Sequence, residues 1–472
     1  MSALRGLALA GSLLLLAACT TVGPDYRLPD EAKLNAPAAQ GPFVGATSPA
    51  VSQEPVPAGW WKLYDDPVLN GLVEEALKAN TDLRVAAANL ARARAIAGEA
   101  DDAGGFKLGA SAAGMHARES GEQYLKSEQL PVENLADVGI KVSYQVDLVG
   151  RLKRAAEAAH ADAEASQAAL DLARVSVAAE VARAYVEACA NGHELAVAQR
   201  TVDLQSRSLD VTRKLVGAGR GTAVDVTRAQ AQLDLSRASL PTYQGRRRAA
   251  LYRLATLTGR PPAEFPKTLE ACAAPPVLKQ PIPVGDGATL LKRRPDVRQA
   301  ERTLAGATAR IGVATAALYP NVTLGLGAGS TGLLADIGQA PANRWGLTSL
   351  ITWTVPGEAE RARIRQAEAG SDAALARFDG VVLNALRETE TSLDTYAHDL
   401  DRNAALKAAR DQAALADSQA QRLYRAGRSP YLAGLDAQRV LAGAEAALAM
   451  SDSQVATDQV NLFLALGGGW ER

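Results

Sequence analysis

The sequence predicts a mainly α-helical chain that also carries four β-strands, with one order of helices and strands occurring twice. Two features predict this fold class: very long stretches free of helix-breaking residues, and four segments of about ten residues in which apolar and polar side chains alternate. A third is an internal repeat, since Thr81-Asp82-Leu83-Arg84 resembles Pro295-Asp296-Val297-Arg298, and Ala218-Gly219-Arg220 recurs as Ala426-Gly427-Arg428. Self-similarity of this kind indicates repeated structural units.

We therefore expect two halves, residues 62–265 and 285–466, each reading helix, two strands and a long helix pair. A Pro-rich linker, 266–284, joins the halves, and proline stiffens such segments. The boundaries of the remaining parts are a signal peptide at 1–18, an N-terminal extended segment at 19–61 and a C-terminal tail at 467–472.

The first half opens with a predicted helix from residue 66 to about 102. Residues 151–216 are then almost free of breakers, with Asn191-Gly192 the one weak point. A helix of that length would measure about 100 Å. Residues 217–222 predict a tight reversal into a second long helix from 223 to about 256. The second half repeats the pattern with a helix over 358–425, a turn over 427–430 and a helix to about 466.

Four segments alternate between apolar and polar residues. The clearest covers residues 138–146, and the others cover about 106–116, 321–331 and 345–355. One apolar and one polar face over about ten residues is typical of a transmembrane β-strand, although half-buried strands of a soluble protein would show the same alternation. Strands in lipid must form a closed sheet, and small closed barrels need about eight strands. One chain offers four, so three copies would close a twelve-stranded barrel, which the long helices would continue as a helical barrel.

Charge and composition argue against several function classes. The chain has 51 basic and 52 acidic residues and a net charge of −1, so nucleic acid is not an expected partner. The four histidines are scattered, without the spacing of metal ligands: His116, His160, His193 and His398. Gly467-Gly468-Gly469 lies at the end of the chain and does not form a phosphate loop. We expect no metal, no soluble cofactor and no enzyme activity, and we expect 246–248, three arginines, to be a solvated helix face.

The N-terminus has the pattern of a bacterial lipoprotein signal. A basic start precedes an apolar run that ends in Leu16-Ala17-Ala18-Cys19. Small residues admit the signal peptidase, and the cysteine thiolate takes the lipid. We expect residues 1–18 to be removed and Cys19 to carry covalent lipid. An ordinary signal peptide and an uncleaved membrane helix are the alternatives, and the apolar run is too short for the latter.

Two further cysteines, Cys189 and Cys272, form an even pair in a compartment that the lipoprotein signal predicts to be oxidising. Such a pair is a disulfide candidate. The alternative is two buried free thiols.

Four motifs carry a family resemblance: Trp60-Trp61-Lys62-Leu63-Tyr64-Asp65-Asp66-Pro67-Val68-Leu69, Arg294-Pro295-Asp296-Val297-Arg298, Leu318-Tyr319-Pro320 and Leu464-Ala465-Leu466-Gly467-Gly468-Gly469-Trp470. The chain resembles the TolC-like outer membrane factors, in their lipoprotein branch, the NodT family, over nearly its whole mature length. The resemblance implies a homotrimeric exit duct with a twelve-stranded barrel in the outer membrane, a helical barrel in the periplasm and an equatorial collar. It also implies an inner-membrane pump and a periplasmic adaptor as partners. Thr20 stands where Asp would favour the inner membrane, and Val355-Pro356-Gly357-Glu358 departs from the usual family junction.

The resemblance also implies roles for residues at the two helix turns. The turns would face the adaptor through Gly219, Gly221, Thr222, Gly427, Ser429 and Pro430. Leu432 and Asp436, spaced i,i+4 on one helix face, match positions that ring the closed end of the pore. Asp225 and Tyr424 match positions whose polar contact holds that end shut. The alternatives are ordinary turn glycines and an exposed helix carboxylate. The function expected is a passive exit duct of a tripartite efflux system, and the alternative is a coiled-coil outer membrane lipoprotein without a pore.

Overall fold

The structure is a computed structural model that describes residues 21–468 of the chain. The predicted signal peptide, Cys19 and Trp470 lie outside the described residues. The helices, in chain order, are a single turn at Pro37–Gln40, followed by α1 (Pro67–Ala79), α2 (Thr81–Asp102), α3 (Arg151–Gly217), α4 (Ala223–Leu257), α5 (Gly287–Arg293), α6 (Pro295–Ala316), α7 (Glu358–Arg425) and α8 (Tyr431–Ala465). The long strands are β1 (Lys107–Ala117), β2 (Glu133–Val146), β3 (Asn321–Leu333) and β4 (Asn343–Thr352).

The order of two helices, two strands and a long helix pair therefore occurs twice. One prediction was wrong in detail: residues 66–102 form two helices, α1 and α2, and not one. The break falls at Asn80, whose Oδ1 accepts hydrogen bonds from the amides of Asp82 at 2.8 Å and Leu83 at 3.2 Å. A side chain that binds free amides in this way starts a new helix. The matching break in the second half is at Arg294, before Pro295, where proline disfavours helical backbone in the preceding residue.

Asn191-Gly192, the predicted weak point, does not interrupt α3. Its glycine has a packing role instead. A Cβ atom added at Gly192 would lie 2.1 Å from the carbonyl oxygen of Cys272, so the linker backbone rests directly on the helix there. One helical turn earlier, Cys189 is fully buried, and its Sγ lies 2.09 Å from that of Cys272. The linker is thus attached to the middle of α3 through two adjacent contacts.

The four long strands form one antiparallel sheet in the order β1-β2-β3-β4. One face is apolar and strongly exposed: Trp345 is 83% exposed and Leu108 75%. Residues directly opposite on paired strands share a face, so Lys107, Ser143, Gly325 and Thr348 lie together on the other, polar face. Strands β1 and β4 are the two edges, and neither has a second partner within the described chain.

The structure divides into two compact units. The first, which we call the sheet unit, comprises the described residues up to Pro29 together with 90–166 and 300–378. In it Arg154 fixes the N-terminal segment, because its guanidinium donates to the carbonyls of Val22 at 3.0 Å and Gly23 at 3.1 Å and to the carboxylate of Asp25 at 2.7 Å. Along with β4, this unit contains the departure Val355-Pro356-Gly357-Glu358. The strand-to-helix corner persists there, since α7 begins at Glu358 and the amide of Gly357 donates to Glu360 at 3.0 Å.

The second unit, the helical unit, comprises residues 30–89, 167–299 and 379 onwards. Its core includes Trp60, which is fully buried and stacks on Phe463 with ring centroids 4.6 Å apart. Residues 44–52, which precede α1, are bound to α7 by Glu390. Its carboxylate accepts hydrogen bonds from the amides of Val44 and Gly45, both at 2.8 Å. Two-residue strands, Val51–Ser52 and Ile282–Pro283, pair in parallel and join that segment to the linker.

One buried acid in the helical unit has a perturbed protonation equilibrium. Asp458 of α8 is 3% exposed and accepts a hydrogen bond from Gln454 at 2.8 Å. Burial raises the pKa of Asp458 to about 6, with a further increase from the neighbouring carboxyl of Asp399. Within residues 21–468, no helix combines the length and apolar composition needed to cross a membrane.

Candidate functional site at the helix turns

The turn between α3 and α4 is closed by backbone hydrogen bonds around Gly219. The amide of Gly219 donates to the carbonyl of Val216 at 3.0 Å, and the amide of Arg220 donates to the carbonyl of Leu215 at 2.8 Å. This bond pair satisfies the last carbonyls of a helix when the terminal residue is left-handed, and Gly219 has φ +75°. A Cβ there would meet no atom within 4 Å. Glycine is therefore required by the backbone conformation, and the turn surface is open.

The turn between α7 and α8 has the same construction around Gly427, whose φ is +68°. The amide of Gly427 donates to Tyr424 at 2.9 Å, and the amide of Arg428 donates to Leu423 at 2.9 Å. Ser429 and Pro430 then lead into α8, where Pro430 is the residue before the first helical turn. The two turns thus present the same glycine-based backbone, one from each half of the chain.

Thr222 and Asp225 start α4 as a reciprocal cap. The Thr222 amide and hydroxyl both donate to Oδ2 of Asp225, at 2.9 and 2.8 Å. These hydrogen bonds hold the pKa of the Asp225 carboxyl below its usual range, because they stabilise the charged form. The first turn of a helix also favours an acidic side chain. Asp225 is therefore a structural element of the turn in this conformation.

The expected polar contact between Asp225 and Tyr424 is not formed among the hydrogen bonds of residues 21–468. Asp225 binds Thr222 instead, and the Tyr424 ring lies 5.1 Å from the ring of Tyr431. The structure thus places both residues at the turns without pairing them.

A different set of side chains joins the two helix pairs near the turns. The Tyr431 hydroxyl donates to the carbonyl oxygen of Ser208 at 3.0 Å and lies 2.9 Å from its Oγ. Ser208 Oγ also donates to Gln438 Oε1 at 3.2 Å. Tyr431 and Gln438 belong to α8, and Ser208 to α3. We call these three residues the Ser208 cluster. It is the polar connection that the sequence prediction missed.

A sequence signal for that cluster does exist. Gln205, Ser208 and Thr212 are all buried polar residues on α3, at 5%, 5% and 2% exposure. Their spacing of three and four residues places them on one face of the helix. Buried polar side chains need hydrogen-bond partners, so such a stripe indicates a partner surface that supplies them. The partner, Tyr431, lies more than two hundred residues further along the chain. Nothing in the sequence around Ser208 predicts that Tyr431 is the residue it contacts.

Leu432 and Asp436 lie on α8 directly after the second turn. Leu432 is 53% exposed, and the Asp436 side chain is 63% exposed. Arg439, one turn further along, contacts Oδ1 of Asp436 at 2.5 Å. The carboxylate therefore has a counter-charge on its own helix, in addition to the role expected for it from the sequence. An exposed ion pair of this kind contributes little to stability, and both side chains remain free to face an aqueous space.

The other sequence predictions have mixed outcomes. The arginines at 246–248 were expected to be solvated throughout, and that is wrong for Arg247, which is half-buried and donates to the carbonyl of Leu269 at 3.3 Å. Arg246 and Arg248 are exposed. Of the histidines, His160 contacts Asp101 at 3.0 Å. Across the described residues, no group of three or more His, Cys, Asp or Glu side chains is placed to hold a metal ion.

Comparison with known proteins gives a consistent set of similarities. The outer membrane efflux protein family matches residues 72–260 and 288–468. Nodulation protein T of Rhizobium leguminosarum bv. trifolii is 28% identical over 97% of this chain and 96% of its own length. The toluene efflux pump outer membrane protein TtgC of Pseudomonas putida is 31% identical over 98% of this chain and 95% of its own length. The solved outer-membrane channel OprN superposes with a TM-score of 0.88 at 34% identity, covering 95% of this chain and 99% of that one.

Proposed function

The chain belongs to the outer membrane efflux protein family and is an outer membrane efflux component, and from that premise we propose that it forms a homotrimeric, passive exit duct. In this proposal three copies close a twelve-stranded barrel in the outer membrane, and their long helices continue the duct into the periplasm. An inner-membrane pump and a periplasmic adaptor deliver the substrates. The relatives TtgC and OprN are named as an efflux pump outer membrane protein and an outer-membrane channel, and we propose no catalytic step for this chain.

The two unpaired edges of the sheet are the observation that carries the proposal. Strands β1 and β4 each have one partner among residues 21–468. In hydrocarbon an unpaired amide or carbonyl is costly, so a spanning sheet has to close on itself. Four strands fall short of the roughly eight that the smallest barrels need. The free edge of β4 in one copy therefore pairs with the free edge of β1 in the next, and three copies supply twelve strands.

The two faces of the sheet support this arrangement. The exposed apolar face, with Trp345, Leu347 and Ile351, suits contact with lipid chains. The opposite face carries polar and glycine residues and suits a water-filled lumen. Monomeric soluble proteins rarely leave a contiguous row of large apolar side chains exposed in this way.

We propose that the two helix turns form the periplasmic end of the duct. The open glycine turns at Gly219 and Gly427 leave space for a partner backbone, and an adaptor would dock on them. Leu432 and Asp436 would then ring the narrowest point of the pore. An apolar ring resists wetting, and an acidic ring favours cations. Because Arg439 accompanies Asp436, the ring is less negative than three isolated carboxylates would be.

We further propose that Cys19 carries covalent lipid, which anchors each copy to the outer membrane. Two or more acyl chains give stable anchoring where a single chain does not.

Single-channel recording tests the proposed duct. The purified protein, extracted in mild detergent and added to a planar lipid bilayer, is expected to give discrete conductance steps. Chemical cross-linking of the same sample is expected to trap a species of three times the chain mass. The alternative, a coiled-coil lipoprotein without a pore, predicts a silent bilayer, and a cross-linking pattern that stops at the monomer would refute the trimer.

A further inference from the structure

The polar face of the sheet carries an uneven distribution of charge. From one edge to the other, the register places Gly109 of β1, Lys141 of β2, Gly327 of β3 and Gly346 of β4 in one row. In the adjacent row Lys107 of β1 lies opposite Ser143 of β2. The two lysines therefore lie on the same face of the sheet, as diagonal neighbours on adjacent strands.

Two other charged residues on the polar face of the sheet neutralise each other. Arg344 of β4 contacts both carboxylate oxygens of Asp137 on β2, at 2.9 and 2.7 Å. Thr331 of β3 donates to the same carboxylate at 2.5 Å and accepts from Arg344 at 2.6 Å. This group is electrically balanced and has its hydrogen bonds satisfied internally. The Asp137 carboxylate is therefore paired with Arg344 and not with either lysine.

Lys107 and Lys141 are exposed, and neither forms an ion pair or a side-chain hydrogen bond with any part of the chain between residues 21 and 468. The Lys141 side chain extends across β3, since a Cβ built on Gly325 would lie 3.4 Å from its Cε. The aliphatic part of the Lys141 side chain thus lies against the sheet, on its polar face.

The row of glycines beside Lys141 is not explained by packing within the chain. A Cβ on Gly346 would meet no atom within 4 Å, and the nearest atoms to one on Gly327 or Gly109 would lie at 3.7 and 4.0 Å. Alanine would fit at all three positions. Glycine weakens a strand, and where it occurs in the interior it often marks the close approach of a ligand or another backbone. Gly109, Gly327 and Gly346 form a surface without side chains, which we call the glycine floor, beside two unpaired ammonium groups.

We propose that Lys107, Lys141 and this glycine floor form a binding site for small organic anions bearing carboxylates, which contact it as they pass through the lumen. The inference rests on the proposed duct, in which three copies would bring six ammonium groups into one belt around the pore. Rings of basic side chains favour anions in other pores. A pore wall lined by positive charge also raises the local concentration of anions.

Citrate block of single channels is the test. The parent protein, a Lys107→Gln/Lys141→Gln variant and a charge-retaining Lys107→Arg/Lys141→Arg variant are compared in planar bilayers with citrate added to one side. The matched control is Lys78→Gln/Lys292→Gln, which removes the same charge from exposed lysines outside the sheet. We expect citrate to block the parent, and the Gln pair in the sheet to need about tenfold more citrate for the same block. The arginine pair and the control are expected to resemble the parent.

The outcomes separate this site from the duct itself. If the parent conducts and both glutamine pairs change the block equally, or neither changes it, the anion site is wrong while the duct stands. If the parent gives no conductance at all, the proposed duct fails and the site fails with it. The chloride-to-potassium permeability ratio in a salt gradient supplies a second readout, and it is expected to fall only in the sheet glutamine pair.

Discussion

The attachment of the linker to α3 leads to a prediction with a calculable magnitude. Cys189 lies in the middle of a 67-residue helix, and Cys272 lies in the linker, 83 residues further along. In the unfolded chain a bond between them would close a long loop and reduce its conformational freedom. Replacing both cysteines with alanine should therefore destabilise the protein, mainly because the conformational entropy of the unfolded chain increases.

The expected size follows from the loop length. For a loop of this size the chain-entropy model gives about 4.5 kcal/mol at 25 °C, which is an upper value because measured effects are often smaller. A chain of this length has an unfolding entropy of about 0.9 kcal/mol/K, so 1 kcal/mol corresponds to about 1 °C in melting temperature. The Cys189→Ala/Cys272→Ala variant should melt up to about 5 °C below the parent.

Thermal denaturation in detergent, followed by circular dichroism of the helices, measures this shift. The control is the parent protein unfolded with a reductant, which should melt close to the variant because both lack the bond. Intact-mass analysis after alkylation checks the premise: without reductant the native parent should take up no label at either cysteine. Free alkylation of both thiols in the native, unreduced protein, or identical melting of parent and variant, would refute the reasoning.

Three further predictions concern the pore, a buried acid and the anchor. Replacing Leu432 and Asp436 together with alanine should raise single-channel conductance and weaken block by divalent cations, while Arg248→Gln should do neither; unchanged conductance would place the constriction elsewhere. The pKa of Asp458 is about 6 in the folded state and near 3.8 in the unfolded chain. The protonated carboxyl therefore contributes fully to stability below pH 3.8, and this contribution is lost as the pH rises through 6. Asp458→Asn should therefore stabilise the protein by at most about 3 kcal/mol at pH 8 and not at pH 3.5, which melting curves at the two pH values would show. Cys19→Ser should abolish incorporation of labelled fatty acid, and persistent labelling would contradict a lipid on that residue.

The long elements were predictable because their ends are determined by local chemistry. The tight turn at 217–222 and the glycine turn at Gly427 each stop a helix, and the structure ends α3 at Gly217 and α7 at Arg425. The alternating segments became strands because a half-buried sheet has a period of two. The break at Asn80 was missed because a single asparagine in an alanine-rich stretch resembles an ordinary helix residue until its side chain is seen to bind the following amides.

The site was less accessible to sequence reasoning. Backbone turns at Gly219 and Gly427 depend on local conformation and were found, whereas the Ser208 cluster depends on two helices meeting across the fold. The ion pair of Asp436 with Arg439 could have been inferred from their i,i+3 spacing. The pairing of Asp225 with Thr222 is likewise local, since threonine followed three residues later by an acid is the pattern of a reciprocal cap.

The capture of the N-terminal segment by Arg154 determines how far the proposed anchor could reach. Val22 also donates its amide to the carbonyl of Val149, at the corner where β2 leads into α3. Thr21, the first described residue, packs against Gly150 at the same corner. Only Thr20 lies between Cys19 and Thr21, and the two Cα–Cα steps span about 7 Å even when the chain is fully extended. In the proposed duct, a lipid on Cys19 would therefore enter the membrane beside the end of the strands, in the leaflet nearest that corner. It would hold a newly exported chain at the membrane surface before the proposed barrel forms.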